Sequence, residues 1–112
     1  MILAASPDFS RAQSGDAHLH PDVISGFVEV PAASIYYEQR GSGPMLLLIP
    51  DGPFDAGIFS TLAERLSACF TVVAIDPRCN SRSSCREFTA AFDVNSEADD
   101  AADVIHELTG GQ

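Results

Sequence analysis

Three groups of residues in this chain have the types and spacing to do chemistry. The first is Pro50-Asp51-Gly52-Pro53-Phe54, directly after the apolar run Met45 to Ile49. Pro-Asp-Gly-Pro can neither continue a strand nor start a helix at once, so the run must give way to a tight loop. In open α/β sheets, ligands sit just outside the carboxyl ends of the strands, which is where such a loop lies. The second group is Asp76-Pro77-Arg78-Cys79-Asn80-Ser81-Arg82-Ser83, after another apolar run, Thr71 to Ile75. With Arg86 it forms an Arg-rich loop, able to hold carboxylates or phosphates. Because charges of both signs are interleaved, the favoured reading is that these arginines pair with Asp76, Asp51 or Asp55 and lock loops together. The third group is the scattered set of histidines and cysteines.

His18 and His20, at i and i+2 in an extended segment, would share a face and could bind a metal. No third ligand is fixed nearby, and a solvated tail is the simpler reading. His106 lies beside the apolar face of a helix and reads as a partly exposed helix residue rather than a base. Cys79 stands near Arg78 and Arg82, which would favour its thiolate. With no His placed to activate it, the thiol has no nucleophilic partner. The three cysteines, 69, 79 and 85, cannot all pair within one chain, and their spacing lacks Cys-x-x-Cys. A reduced, cytoplasmic setting is the simpler expectation.

The elements that must position these groups follow from periodicity. A run as short as Met45 to Ile49, without polar alternation, suits a strand buried on both faces. Phe59, Leu62, Ala63 and Leu66 then fall at i, i+3, i+4 and i+7, predicting a helix after the first loop. Before it, Gly26 to Val30 and Ile35 to Gln39 are β-rich runs joined by Pro31-Ala32-Ala33-Ser34, a hairpin pattern. Arg40-Gly41-Ser42-Gly43-Pro44 is a turn by composition. Ser96-Glu97-Ala98-Asp99 reads as a capping box with Ser96 the cap. Ala101, Val104, Ile105 and Leu108 form the apolar face of the helix that follows, and Gly110-Gly111 stops it.

The totals set limits. The chain has 112 residues, enough for one small domain, and 46% are hydrophobic, enough for a core. Sixteen acidic residues face six basic ones, all Arg, giving a net charge of −10. Such a surface repels nucleic acid and anionic membranes, so neither is an expected partner. No apolar stretch approaches the roughly 20 residues of a membrane span. The segment 1–22 shows no sustained period and no signal-peptide pattern; it reads as a poorly ordered leader, with the domain at 23–112.

From about Gly26 to Gln112 the chain resembles the N-terminal portion of the α/β-hydrolase superfamily. Members carry a small apolar strand, a His-Gly-Gly-Pro-Gly-like oxyanion loop, a helix, a strand, and then Asp-x-Arg-Gly-x-Ser/Gly-x-Ser. Here the matching pieces are Leu-Leu-Ile-Pro-x-Gly-Pro and Asp-Pro-Arg-x-Asn-Ser-Arg-Ser. The resemblance implies an α/β fold: a partial α/β-hydrolase-type sheet, made of a β-hairpin plus two strand–helix units. It makes Gly52, with Pro53 beside it, the oxyanion-loop candidate, and Asp76, Arg78, Ser81 and Ser83 a structural loop motif. Asp51, Phe54 and Cys79 stand where the family pattern has glycines. A carboxylate at Asp51 opposes negative charge developing at Gly52, and Phe54 resists a positive φ.

In that family the nucleophile sits on a Gly-x-Ser-x-Gly elbow after the next strand. This sequence contains no such elbow, so no catalytic residue is assigned, and no metal or cofactor is implied. The resemblance also implies that Met45 to Ile49 presents a bare sheet edge, open to self-association or to a complementary chain. Three functions follow as expectations. They are a truncated hydrolase-like protein inactive alone, half of a split hydrolase, and a small interaction module.

Overall fold

The computed structural model describes residues 2–4, 23–51, 53–86 and 94–110. In chain order the strands are Ile2–Ala4 (β1), Ile24–Val30 (β2), Ala33–Arg40 (β3), Met45–Leu48 (β4), Thr71–Ile75 (β5) and Ser84–Cys85 (β6). The helices are Ser60–Leu66 (α1), entered through a 3-10 turn at Ala56–Phe59, and Val94–Leu108 (α2). Among the described residues the strands make one mixed sheet in the order β1-β4-β5-β3-β2, with β6 on β3.

The two apolar runs lie at the centre. β4 and β5 pair in parallel, Met45 opposite Thr71 and Leu48 opposite Ala74. Strand alternation sends Met45, Leu47, Val73 and Ile75 to one face. Leu48, Val72 and Ala74 go to the other. The first face packs under α2 through Ala101 and Val104. The second packs under α1 through Ala63, with Phe59, Leu66 and Phe70 partly buried around it. Both faces are covered, which is why neither run shows a polar period.

The hairpin is longer than its β-rich runs suggested. β2 and β3 pair from Ile24 opposite Gln39 to Val30 opposite Ala33, leaving only Pro31 and Ala32 in the turn. Pro at the first turn position and φ 65° at Ala32 follow the pattern of a type II turn, whose second position favours glycine. Ala32 is exposed and its side chain has nothing to lose. Ala32→Gly is therefore expected to raise stability by about 0.5–1 kcal/mol, relief of the left-handed backbone outweighing the added freedom of the unfolded chain. A urea midpoint that falls would refute this.

Three expectations need correction. Leu62 is 41% exposed, because α1 is short and rests on the sheet through Ala63 and its neighbours. Ser96 is not the cap of α2; the helix begins at Val94 and Ser96 sits inside its first turn. The edge of β4 is not bare. Ile2–Ala4, within the segment read as a leader, runs antiparallel along it, Ile2 opposite Leu48 and Ala4 opposite Leu46. A three-residue strand brought in from so far along the chain leaves no local sequence signal. Residues 5–22, with His18 and His20, lie outside the described residues.

Candidate functional site

The first loop leaves the carboxyl end of β4 and is held from below. The Phe54 amide donates to the Asp51 carbonyl at 3.0 Å, closing a turn across residues 51–54. Pro53 is exposed within that turn. Gly52 lies outside the described residues. Phe54 is not among the residues at positive φ, so the loop makes no demand there that Phe cannot meet. Asp55 caps the 3-10 turn, its Oδ1 accepting from the Gly57 amide at 2.9 Å.

The second loop braces the first, and Asp76 is the joint between them. Its side chain is fully buried. Oδ1 accepts from the Ala56 amide at 2.8 Å and from Arg82 Nη2 at 3.0 Å. Oδ2 accepts from the Arg82 amide at 2.9 Å and from Arg82 Nε at 2.8 Å. A buried carboxylate is tolerable only when its lone pairs are filled in this way. Arg82 also donates to Glu38 Oε2 at 3.1 Å and lies over the Tyr36 ring, 4.1 Å from its centroid. The hydrogen bond to Asp76, opposed by desolvation, raises the guanidinium's pKa further above its usual value.

Ser81 and Ser83 divide the remaining work. Ser81 Oγ donates to Asp55 Oδ2 at 2.6 Å, and Asn80 Nδ2 donates to the Phe54 carbonyl at 2.7 Å. The Ser81 hydroxyl and the Gly57 amide hold the Asp55 carboxyl below its ordinary value of 3.8, against a smaller opposing effect of desolvation. Ser83 is buried. Its hydroxyl donates to the Asp76 carbonyl at 2.7 Å and accepts from the Tyr36 amide at 2.8 Å, tying the end of β5 to β3.

Arg78 turns away from this cluster. Nε and Nη2 grip Asp100 of α2 at 2.8 and 2.9 Å, and Nη2 also reaches the Pro31 carbonyl at 3.0 Å. The hydrogen bond to Asp100, opposed by burial, raises the Arg78 pKa. One side chain thus joins the loop, the helix and the hairpin turn. The arginines do lock elements together, but Arg78 uses a partner that lies outside the loops. Asp100 had a visible signal: it precedes Ala101 and lies four residues before Val104, so it borders the helix's apolar face. A carboxylate there requires a buried cation. On the same helix, burial pushes the Glu97 carboxyl up, helped by repulsion from Asp100 and Asp51. Asp51 therefore adds negative field near the first loop.

The cysteines require a correction. Cys79 is bonded to Cys85, with Cα atoms 4.9 Å apart, while Cys69 is free. Cys79 is thus neither a free thiol nor only a stand-in for glycine. Cys79 and Ser81 lie at φ 64° and 51°, and these two left-handed residues fold the loop back until position 85 meets 79. Glycine suits such a backbone, which accords with the motif's glycine at position 79. A non-glycine there gave no local sign of the turn it makes. His106 is exposed on α2. Among the described residues no group of three His, Cys, Asp or Glu side chains could hold a metal ion, and no helix is long and apolar enough to cross a membrane.

No family model matches the sequence. Individual proteins do. The chain is 38% identical over 87 residues to the uncharacterized hydrolase YraK of Bacillus subtilis (strain 168), covering 78% of this chain and 32% of that one. Its fold superposes on the crystal structure of E-2-(acetamidomethylene)succinate hydrolase with a TM-score of 0.69 and 30% identity, over 79% of this chain and 32% of that one. It also superposes on an epoxide hydrolase from an endophytic Streptomyces with a TM-score of 0.72 and 26% identity, over 78% and 27%. The chain spans about a third of the length of the curated relatives it matches. By that shared sequence and architecture, the chain belongs to the α/β-hydrolase superfamily and carries the N-terminal portion of its fold.

Proposed function

We propose that this polypeptide carries the oxyanion loop of an ester- or amide-type hydrolase and, by itself, has no triad-type activity. One observation carries the reading. The loop after β4 is anchored through the Ala56 amide on Asp76, yet no serine of the chain stands in Gly-x-Ser-x-Gly. Acyl transfer needs a nucleophile with its base, an acid that orients the base, and donors for the oxyanion. Of these, only the donors have a counterpart here, at Gly52. A serine hydroxyl without a base is a poor nucleophile near neutral pH, and a positioned donor stabilises charge only after something has attacked. Asp51 weakens even that contribution. The same proposal takes the chain as cytoplasmic, with its acidic surface keeping nucleic acid and anionic membranes away.

A second reading, half of a split hydrolase, is favoured by the surface. Phe54, Ile58 and Leu62, four residues apart, are 50%, 53% and 41% exposed beside the first loop. Among the described residues, the β4 edge meanwhile has only the three residues of β1 paired to it. A complementary chain that adds a strand to β4 would displace β1.

The purified chain, assayed with activated short-chain esters and a fluorophosphonate probe, is expected to match a heat-inactivated control. Turnover together with stoichiometric labelling of one serine would overturn the first reading. Activity that appears only when a second chain bearing Gly-x-Ser-x-Gly is added would establish the split enzyme.

A further inference from the structure

The Cys79–Cys85 bond closes a small ring, sequence separation six, and that ring holds the contacts that brace the first loop. Asn80 holds the Phe54 carbonyl, Ser81 holds Asp55, and Arg82 fills Asp76 beside the Ala56 amide. The ring's position is unlike that of a cross-link serving the core. Both cysteines are half-buried, and the ring surface at Ser81 and Arg82 faces solvent, so a small reagent can reach the bond. A ring this short removes less entropy from the unfolded chain than a long one would, and that part of its effect is shared by every amide of the fold, so a local effect shows as the excess at the loop. Cys79 holds a left-handed backbone at φ 64°, a conformation that costs a non-glycine residue energy and that, once the bond opens, is left to the backbone bonds from Asn80 to Pro77 and from Ser83 to Asn80. When disulfides do occur in reducing compartments, they are mostly transient or redox-sensing.

We propose that Cys79 and Cys85 form a reversible thiol–disulfide modification site, whose redox state sets how firmly residues 53–57 are held at the carboxyl end of β4. Its co-substrate class is a low-molecular-weight dithiol or the corresponding disulfide. A thiolate of the dithiol attacks one protein sulfur, breaking the Cys79–Cys85 bond and forming a mixed disulfide. The second thiol of the reagent then displaces that sulfur. Two electrons pass to the protein, the reagent's two thiol protons end on Cys79 and Cys85, and the reagent leaves as a cyclic disulfide. Oxidation is the reverse. Reduction lets residues 79–82 leave the left-handed turn, and Asn80, Ser81 and Arg82 then release Phe54, Asp55 and Asp76. The inference is independent of catalysis and stands whichever reading of the hydrolase is correct.

The test uses the full chain in buffers of reduced and oxidised dithiothreitol, with free thiols counted after denaturation and amide exchange read at single residues. One thiol, that of Cys69, is expected in the oxidised chain and three in the reduced chain. The Ala56 and Gly57 amides are expected to exchange on the order of tenfold faster after reduction, as local opening becomes easier. Val72 and Val73, at the centre of the sheet, should change by a clearly smaller factor. Cys85→Ser should show the fast Ala56 rate in both buffers, with Val72 protection reporting that it is folded; the wild-type comparison stands without it. Three thiols at every buffer ratio would overturn the proposal. So would an Ala56 rate that ignores redox state, or a change of the same factor at Val72, the mark of a purely structural disulfide.

Discussion

Asp100→Ala is expected to destabilise the chain by about 3–5 kcal/mol, the range found when one partner of a buried ion pair is removed. The Arg78 and Asp100 side chains are 8% and 5% exposed and share two hydrogen bonds. Without the carboxylate, the guanidinium keeps, among the described residues, only the Pro31 carbonyl and stays charged in a site largely closed to water. Chemical denaturation should show the loss as a large fall in midpoint. A fall worth under about 1 kcal/mol would mean that water reaches Arg78 and that the pair behaves as a surface bridge. The double replacement Arg78→Met with Asp100→Leu is expected to lose less than the single one, since it removes both desolvated charges together.

A loss of about 1–3 kcal/mol is expected for Asp76→Asn, the cost of a buried donor left unsatisfied, since Arg82 is 40% exposed and keeps access to water. The change is nearly isosteric, so it alters chemistry rather than packing. Asp76 receives four hydrogen bonds from two amides and a guanidinium, all of them donors. An asparagine offers one accepting oxygen and turns its NH2 toward donors on the other side. Either the Ala56 amide or the Arg82 fork is left facing a donor, and Arg82 loses its buried counter-charge while keeping Glu38. Two readouts check this together: the denaturant midpoint, and amide exchange at Ala56 against Val72. An unchanged midpoint, with Ala56 still protected, would show that Asp76 does not join the two loops.

The central fold was legible because its signals are local and redundant. Met45 to Ile49 and Thr71 to Ile75 lack polar residues, and only a strand covered on both faces accommodates that in so short a run. Ala101, Val104, Ile105 and Leu108 gave the face of α2 for the same kind of reason. What could not be read depends on pairs distant in sequence. The border position of Asp100 on its helix calls for a cation, but that the cation is Arg78, 22 residues away in the chain, comes only from the fold. Cys85 carried no sign of Cys79, because their meeting needs left-handed backbone at Cys79 and Ser81, two residue types that seldom adopt it. β1 reaches β4 from the start of the described chain, past the whole β2–β3 hairpin. In the site, Asp76 and the arginines were visible as an interleaved charge pattern. Asp55 was visible only as one acidic partner among several, and its double role as cap and brace came from the fold.

The strand order also governs the sequence of events by which the sheet can be made. β4 follows β3 in the chain but is not its neighbour; β5 lies between them, antiparallel to β3 and parallel to β4. The connection from β3 to β4 uses Gly41 and Gly43 at φ 80° and 119°. A Cβ on either would meet backbone of the turn after α1, at the Phe70 and Cys69 carbonyls respectively. The simple hairpin between β3 and β4 is therefore not the product. On a growing chain, β2 and β3 can zip as soon as both have emerged, because their pairing is local. β1 can join β4 once residue 48 is present, but the β3–β5 and β4–β5 pairings must wait for residue 75. Until then β3 and β4 each hold an unfilled edge, and β5 completes the centre of the sheet by insertion, not by addition at a rim.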